Sequence, residues 1–523
     1  MPEHVPYNPT ASRRRRGIII AQALLVALLA VWLLAVRRPI GWGDEGTISV
    51  LGPVYPLSYL LPPVLTLAGL GGLLTYLWRS MRREKIPGHR RALAWTIAFG
   101  LAVGAWSLQV ALWSVAPGSI SRLAAVQLSE VSTGYLAEAF TIEDVGAYLD
   151  SYAQEMPRAP KHIATHPPGA VLFFYAVHQV GEALPALRQA ALVASSTAVG
   201  QSIPDLAADV LAYPTTRWLG SEGLATAIIA SWMLGVCGAL MPLLIFAALR
   251  GPAGEERALA VAAVLALTPS MLFYFPTLDM LIALASTLMV AALAATQRHW
   301  AWSAVAGLIA AEALFVSLGA LALVALGGAF LLLRAARQAG QSGDTSWSDT
   351  RSAAVPLLAF GAGLLAGLAA WYAVGVDAAE VFSQGLGAHS SITGRASWRS
   401  YHVWVWMNLV EFAIFAGLPL TVLAAASIPR VIATLRELSS SALAAYLGAA
   451  ALLVLLLLDV SGTVKGETGR LWLFFVPWLA AAIAPDLVDE SGSRWKLLAL
   501  TCALTALQIL LMAWTMQPIV RPY

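Results

Sequence analysis

The stretch "SRRRRGIIIAQALLVALLAVWLLAV", Ser12 to Val36, decides the fold class. Four arginines lead into a run of about 20 uncharged residues, long enough to cross the roughly 30 Å of hydrocarbon in a bilayer. No small-residue cleavage site follows, so the run reads as an uncleaved spanning helix with Arg13 to Arg16 held in the cytoplasm. Counting this one (17–36), apolar segments of spanning length recur at 52–78, 92–115, 223–249, 257–275, 278–296, 301–317, 319–334, 353–375, 404–425, 441–459, 471–485 and 497–515. The 523 residues are 59% hydrophobic and 12% charged, against about 25% charge in soluble domains. An all-α polytopic membrane protein of about 13 transmembrane helices is expected.

The formal charge of +3 carries no message about nucleic acid, because in such a chain the side on which each Lys or Arg falls is what matters. With the N-terminus inside, the segments Arg79–Arg91, Arg250–Arg257, Arg298, Arg334–Arg351, Arg430–Arg436 and Arg494–Lys496 are cytoplasmic, and with Arg13 to Arg16 they hold most of the 32 basic residues. Arg37 and Arg38 fall on the other side. Cys237 and Cys502 lie in apolar runs and read as small core residues. Ala170–Val180 is too short to span and is expected to lie in, or dip into, the outer interface. That places a long outer region at 116–222, in which Thr141–Met156 carries Val145, Tyr148, Leu149, Tyr152 and Met156 at helical spacing and reads as a second membrane-lying helix.

Polar chemistry gathers on the outer side of this topology. Each candidate there has a structural reading and a functional one. Asp144 can cap a helix or act as a base, Glu138 and Glu130 can be solvated faces or bases, and Asp44, beside Glu45, can sit in a plain turn. Asp279 breaks an apolar sequence, where a charge in the membrane costs about 2.5–3.5 kcal/mol. It either caps the helix from Leu278 or binds substrate. In "KHIATHPPG" (161–169) the proline after His166 pushes that residue into an extended conformation, while His162, Thr165 and His166 supply more than a turn requires. In "KGETGR" (465–470), Lys465, Glu467 and Arg470 either pair among themselves or let Arg470 grip a lipid phosphate, with Arg395 and Arg399 as a second half of the clamp. No Cys/His pattern, Walker loop or dinucleotide glycine signature occurs in a credible context, so no cofactor is expected; a divalent cation is left open and no metal ligands are assigned.

At "THPPGAVLFF" (165–174) the chain resembles the polytopic glycosyltransferases of the C superfamily (GT-C), the group that contains the protein O-mannosyltransferases and the aminoarabinose transferase of lipid A. The likeness extends through "STGYLAEAF" (132–140), "IEDVGAYLDSY" (142–152), "ALTPSMLFYFPTLDMLIAL" (266–284) and "KGETGRLWLFFVPWL" (465–479), in that order. It implies two extra N-terminal helices in residues 1–91, a GT-C-like core at 92–486 with its large outer loop at 116–222, and a C-terminal helix and tail at 487–523. It further implies a glycosyltransferase acting outside the cell membrane, taking a sugar from a polyprenyl-phosphate donor to a glycan, lipid or protein acceptor. Membrane lipids are the other expected partners. Family members carry an Asp-Glu pair directly after the helix that enters the loop. Here the 92–115 helix is followed by "SVAPGSISRLAAVQLSE", and the only such pair is Asp44-Glu45, so the general base stays open among Glu138, Asp144, Glu130 and Asp44. Substrate contacts are expected from His162, His166, Asp279, Arg395, Lys465, Glu467 and Arg470. A transporter or lipid flippase is the alternative class; it calls for ionisable groups near the bilayer midplane.

Overall fold

The computed structural model describes residues 9–39, 50, 55–115, 118–160, 162–341, 347–395, 399–437, 443–488 and 495–516. Within them the chain is helical, and the only β-type pairings are isolated bridges, Val50 with Met516 and Ser129 with Thr216. Among the described residues nine helices are long and apolar enough to cross a membrane: Arg13–Val36, Leu57–Arg83, Pro87–Trp113, Gly220–Leu249, Leu318–Gln338, Ala354–Ala373, Leu418–Arg436, Leu443–Val460 and Trp495–Thr515. The protein is therefore an all-α polytopic membrane protein.

Length supports eight of the thirteen segments read from hydropathy, and the other five differ for local reasons. Segment 257–275 divides into Glu255–Ala266 and Pro269–Phe273, because Pro269 has no N–H to continue the ladder. Segment 404–425 breaks at Gly417, whose φ of 102° only glycine adopts without strain. Its second half becomes the start of the Leu418–Glu437 helix, so Arg430 and Arg436 lie on a helix instead of in a loop. Segment 471–485 is a series of short turns, Leu473–Phe475, Val476–Ala482 and Ala484–Leu487, with prolines at 477 and 485. Asp279–Ala295 and Trp302–Val316 are shorter apolar helices of 17 and 15 residues; at about 1.5 Å per residue neither reaches 30 Å.

The Gly220–Leu249 helix is apolar on all sides and forms the centre, packed by Pro87–Trp113, Glu255–Ala266 and Asp279–Ala295. Between Pro87–Trp113 and Gly220–Leu249 the chain builds one end of the bundle from Ser119–Leu128, Tyr135–Ala139, Val145–Glu155, Gly169–Ala183, Pro185–Val199 and Ile203–Leu211. Two of these are the helices expected from the sequence at 141–156 and 170–180. Val145–Glu155 turns Leu149 and Tyr152 into the protein, with Met156 just after it also buried, and meets the Ala378–Arg395 helix. Gly169–Ala183 buries Val171, Phe174 and Val177 against Tyr135–Ala139 and Gly220–Leu249, then turns by 103° into Pro185–Val199. Each thus buries part of its apolar face in protein, while Val180 and other apolar residues of Gly169–Ala183 stay exposed or partly so. Arg90–Glu256, Arg91–Glu255 and Arg430–Asp486 pair at the opposite end.

Candidate functional site

The turn before Gly169 organises the site. His166 is extended, with φ −125° and ψ 149°, as a residue before proline must be. Pro168 then launches the helix, and Gly169 is required because a Cβ there would lie 2.3 Å from the Phe315 carbonyl oxygen. The ring of His166 is fixed from behind. Its Nδ1 lies 2.9 Å from the His162 carbonyl and 3.0 Å from Thr165 Oγ1. A carbonyl only accepts, so Nδ1 carries the proton and Nε2 is left as an acceptor. Tyr152 Oη donates to the His166 carbonyl at 2.7 Å, and the Tyr135 ring meets the imidazole edge-on at 5.9 Å. Burial, with His162 beside it, pushes the imidazole down to about 4, so the ring is neutral at pH 7.

Three further segments converge on this ring. Asp279 opens its helix without capping it; its Oδ2 lies 3.5 Å from Arg470 Nε, and Arg470 Nη2 donates to Glu467 Oε2 at 2.8 Å. Arg470 keeps 29% of its side chain accessible and Asp279 24%, so both are partly open to solvent. Burial works against the charge of Arg470, but Asp279 and Glu467 outweigh it and hold the guanidinium above its ordinary value. Tyr135 feels both Arg470 and Asp279, and His166 feels Arg470 and His389. Glu138 stands on the Tyr135–Ala139 helix, half-buried, and Tyr148 and Tyr152 feel its charge. Burial raises its carboxyl above the usual range, with Arg217 opposing. His162, His166, Asp279, Glu467 and Arg470 thus group around Tyr135, with Glu138 on the same short helix as that tyrosine.

The other candidates are placed differently. Asp144 is exposed and caps Val145–Glu155, accepting the Ala147 N–H at 2.8 Å. Glu130 pairs with Arg217 at 3.1 Å, both side chains about half exposed, an arrangement worth about 1 kcal/mol or less. Lys465 is half-buried, and its carbonyl accepts from Arg399 Nη1. Asp44, with Glu45, and the side chain of Arg395 lie outside the described residues. Among the described residues no group of three His, Cys, Asp or Glu is arranged to hold a metal ion.

Several residues that build the site escaped the sequence reading. Asn408, 1% exposed, donates to Asp459 Oδ1 at 3.1 Å and to the Val464 carbonyl at 2.9 Å, and its Oδ1 accepts the Gly466 N–H. Thr468 Oγ1 donates to the Asn408 carbonyl, and the Gly469 N–H donates to Glu411 Oε1. This network fixes the loop that carries Arg470 and holds Glu467 at a φ of 59°. Asn408 and Glu411 interrupt an apolar run three residues apart, on one helix face, which was the available signal.

Arg122, also missed, sits on Ser119–Leu128 at 7% exposure, its guanidinium 4.4 Å over the Trp113 ring and Nη2 3.5 Å from the Trp113 carbonyl. Its Nε has no hydrogen-bond partner, and among the described residues no carboxylate pairs with it. The ring contact is worth about 0.5–2 kcal/mol and a helix end up to about 2 kcal/mol, against several for desolvating an ion.

Compared with protein-family models, curated proteins and solved structures, the chain matches none. The functional reading therefore rests on the residues and their geometry.

Proposed function

We propose that the chain is a membrane glycosyltransferase that moves a sugar from a polyprenyl-phosphate donor to an acceptor hydroxyl on the extracytoplasmic face, the N-terminus being cytoplasmic. The observation that supports this reading is the pairing of Asp279 with Arg470 beside Tyr135 and His166, with Glu138 on the short helix that carries Tyr135. A carboxylate whose acidity is weakened by burial is suited to take the acceptor's proton, and Glu138 is that group. The acceptor oxygen then bonds the anomeric carbon as the carbon–phosphate oxygen bond breaks, and the departing polyprenyl phosphate keeps the electron pair. His166 Nε2 and the Asp279–Arg470–Glu467 trio accept from and donate to sugar hydroxyls. No soluble nucleotide-binding domain is needed, because the donor arrives laterally from the bilayer.

A flippase of envelope lipids is the second reading, favoured by the 103° bend between Gly169–Ala183 and Pro185–Val199 and by the break at Gly417. Both are tested with the full chain in nanodiscs and a labelled polyprenyl-phosphate sugar. Transfer is expected to fall by about 100-fold or more in Glu138→Gln, with clear losses in His166→Ala and Arg470→Ala. Wild-type transfer in all three variants would sink the site assignment. Movement of the lipid across proteoliposomes with its sugar intact would favour the flippase.

A further inference from the structure

We infer that Arg122 is the centre of an anion site that takes a phosphate group at the level of the lipid headgroups, flanked by the phenols of Tyr55 and Tyr213. The first argument is charge. A guanidinium this buried calls for an anion, and the aromatic face and helix end beside it supply partial charges only. Arg470, the arginine that sequence would choose for this task, already holds two carboxylates. Arg122 holds none among the described residues; the Nε of both arginines lacks a hydrogen-bond partner, so the missing carboxylate is what sets Arg122 apart. Burial lowers its pKa to about 10, with Tyr213 and Tyr55 opposing, so it remains a cation at pH 7.

The second argument is position. Trp113 is the last residue of the Pro87–Trp113 span, and Arg122 reaches back to its carbonyl. Trp514 Nε1 donates to the Tyr55 carbonyl at 2.9 Å, so Trp113, Trp514, Tyr55 and Tyr213 surround this span end with the aromatic residues that favour headgroup depth. A planar guanidinium suits phosphate oxygens, and the charges of Tyr55 and Tyr213 are near enough to act on it. The third argument is connection. The Trp113 ring meets Phe275 edge-on at 5.9 Å, and Gln127 Nε2 donates to the Pro276 carbonyl at 2.8 Å. Both contacts brace the turn that presents Asp279, so Trp113 and Gln127 link the region around Arg122 to that turn. That this phosphate is the donor's rests on the transferase reading.

The test uses the purified full chain in detergent micelles, following its melting temperature while adding a polyprenyl monophosphate, inorganic phosphate, or phosphatidylcholine as a neutral control. The polyprenyl phosphate is expected to raise the wild-type melt and phosphatidylcholine to leave it alone. Arg122→Gln should weaken the apparent affinity by about tenfold or more, and Arg158→Gln, at an exposed arginine paired with Glu155, should leave it within about twofold. If Arg122→Gln does not fold, Tyr213→Phe and Tyr55→Phe serve, each weakening binding by about threefold. An equal response to inorganic phosphate supports the phosphate site and reassigns its source to the free ion. A full response in Arg122→Gln, or none to either anion in the wild type, overturns the inference. Sugar transfer with a lipid response independent of Arg122 would fail this inference alone; an Arg122-dependent response in a chain that transfers no sugar would fail the transferase reading alone.

Discussion

Arg470 and Arg122 stand at the same end of the bundle and differ in what surrounds their charge. Arg470 has Asp279 at 3.5 Å and Glu467 at 2.8 Å, so its positive charge is compensated before any ligand arrives. Arg122 is more deeply buried and has an indole face, a carbonyl and two neighbouring phenols. A cation that is already paired holds a structure together and offers donors to hydroxyls. A buried cation without its own acid is a standing demand for an anion.

The largest effect separating the two is on stability. Arg470→Ala leaves Asp279 beside Glu467 without its cation, and is expected to destabilise the fold by about 3 kcal/mol, reading as a lower urea midpoint in detergent. Asp279→Asn together with Arg470→Gln should recover part of that loss, and a double variant no better than the single one would break the pairing. Next is Asn408→Ala, which strips the loop beneath Arg470 of three hydrogen bonds and should cost about 2 kcal/mol; restoration of transfer by Asn408→Gln without restored stability would argue against a positioning role. Arg122→Met should act in the opposite direction, raising the stability of lipid-free protein by about 1 kcal/mol, since an uncompensated buried charge is removed. A fall in stability there would make Arg122 a second structural cation and erase the contrast.

The smallest effect is on pH dependence. The folded imidazole of His166 lies near 4, below its ordinary value of about 6.5. Below 6.5 the unfolded chain binds a proton that the folded chain refuses, so stability is full above about 6.5 and declines as pH falls toward 4. Thermal melts between pH 7 and 5 should show this decline, and His166→Gln should flatten it. Transfer, by contrast, should rise with pH through the raised carboxyl of Glu138, with no inflection from His166 near neutrality.

The signals that were readable in the sequence were local ones. His166 before two prolines had to be extended, Asp279 broke an apolar run at a cost that required a partner, and the arginine-led apolar segments required a bilayer. Helix ends were less legible where Pro269, Gly417 and Pro477 interrupt runs that hydropathy joins together. Asn408 and Glu411 were overlooked because polar residues within a span look tolerable until their partners, nearly 60 residues downstream, are in place.

By itself the sequence determined that this protein lives in a membrane and that its polar groups gather near helix ends, because hydrocarbon thickness and backbone sterics act residue by residue. Which carboxylates compensate Arg470, and which arginine lacks one among the described residues, only the tertiary structure decided. Charge compensation depends on distances between segments hundreds of residues apart, and no local pattern encodes those distances.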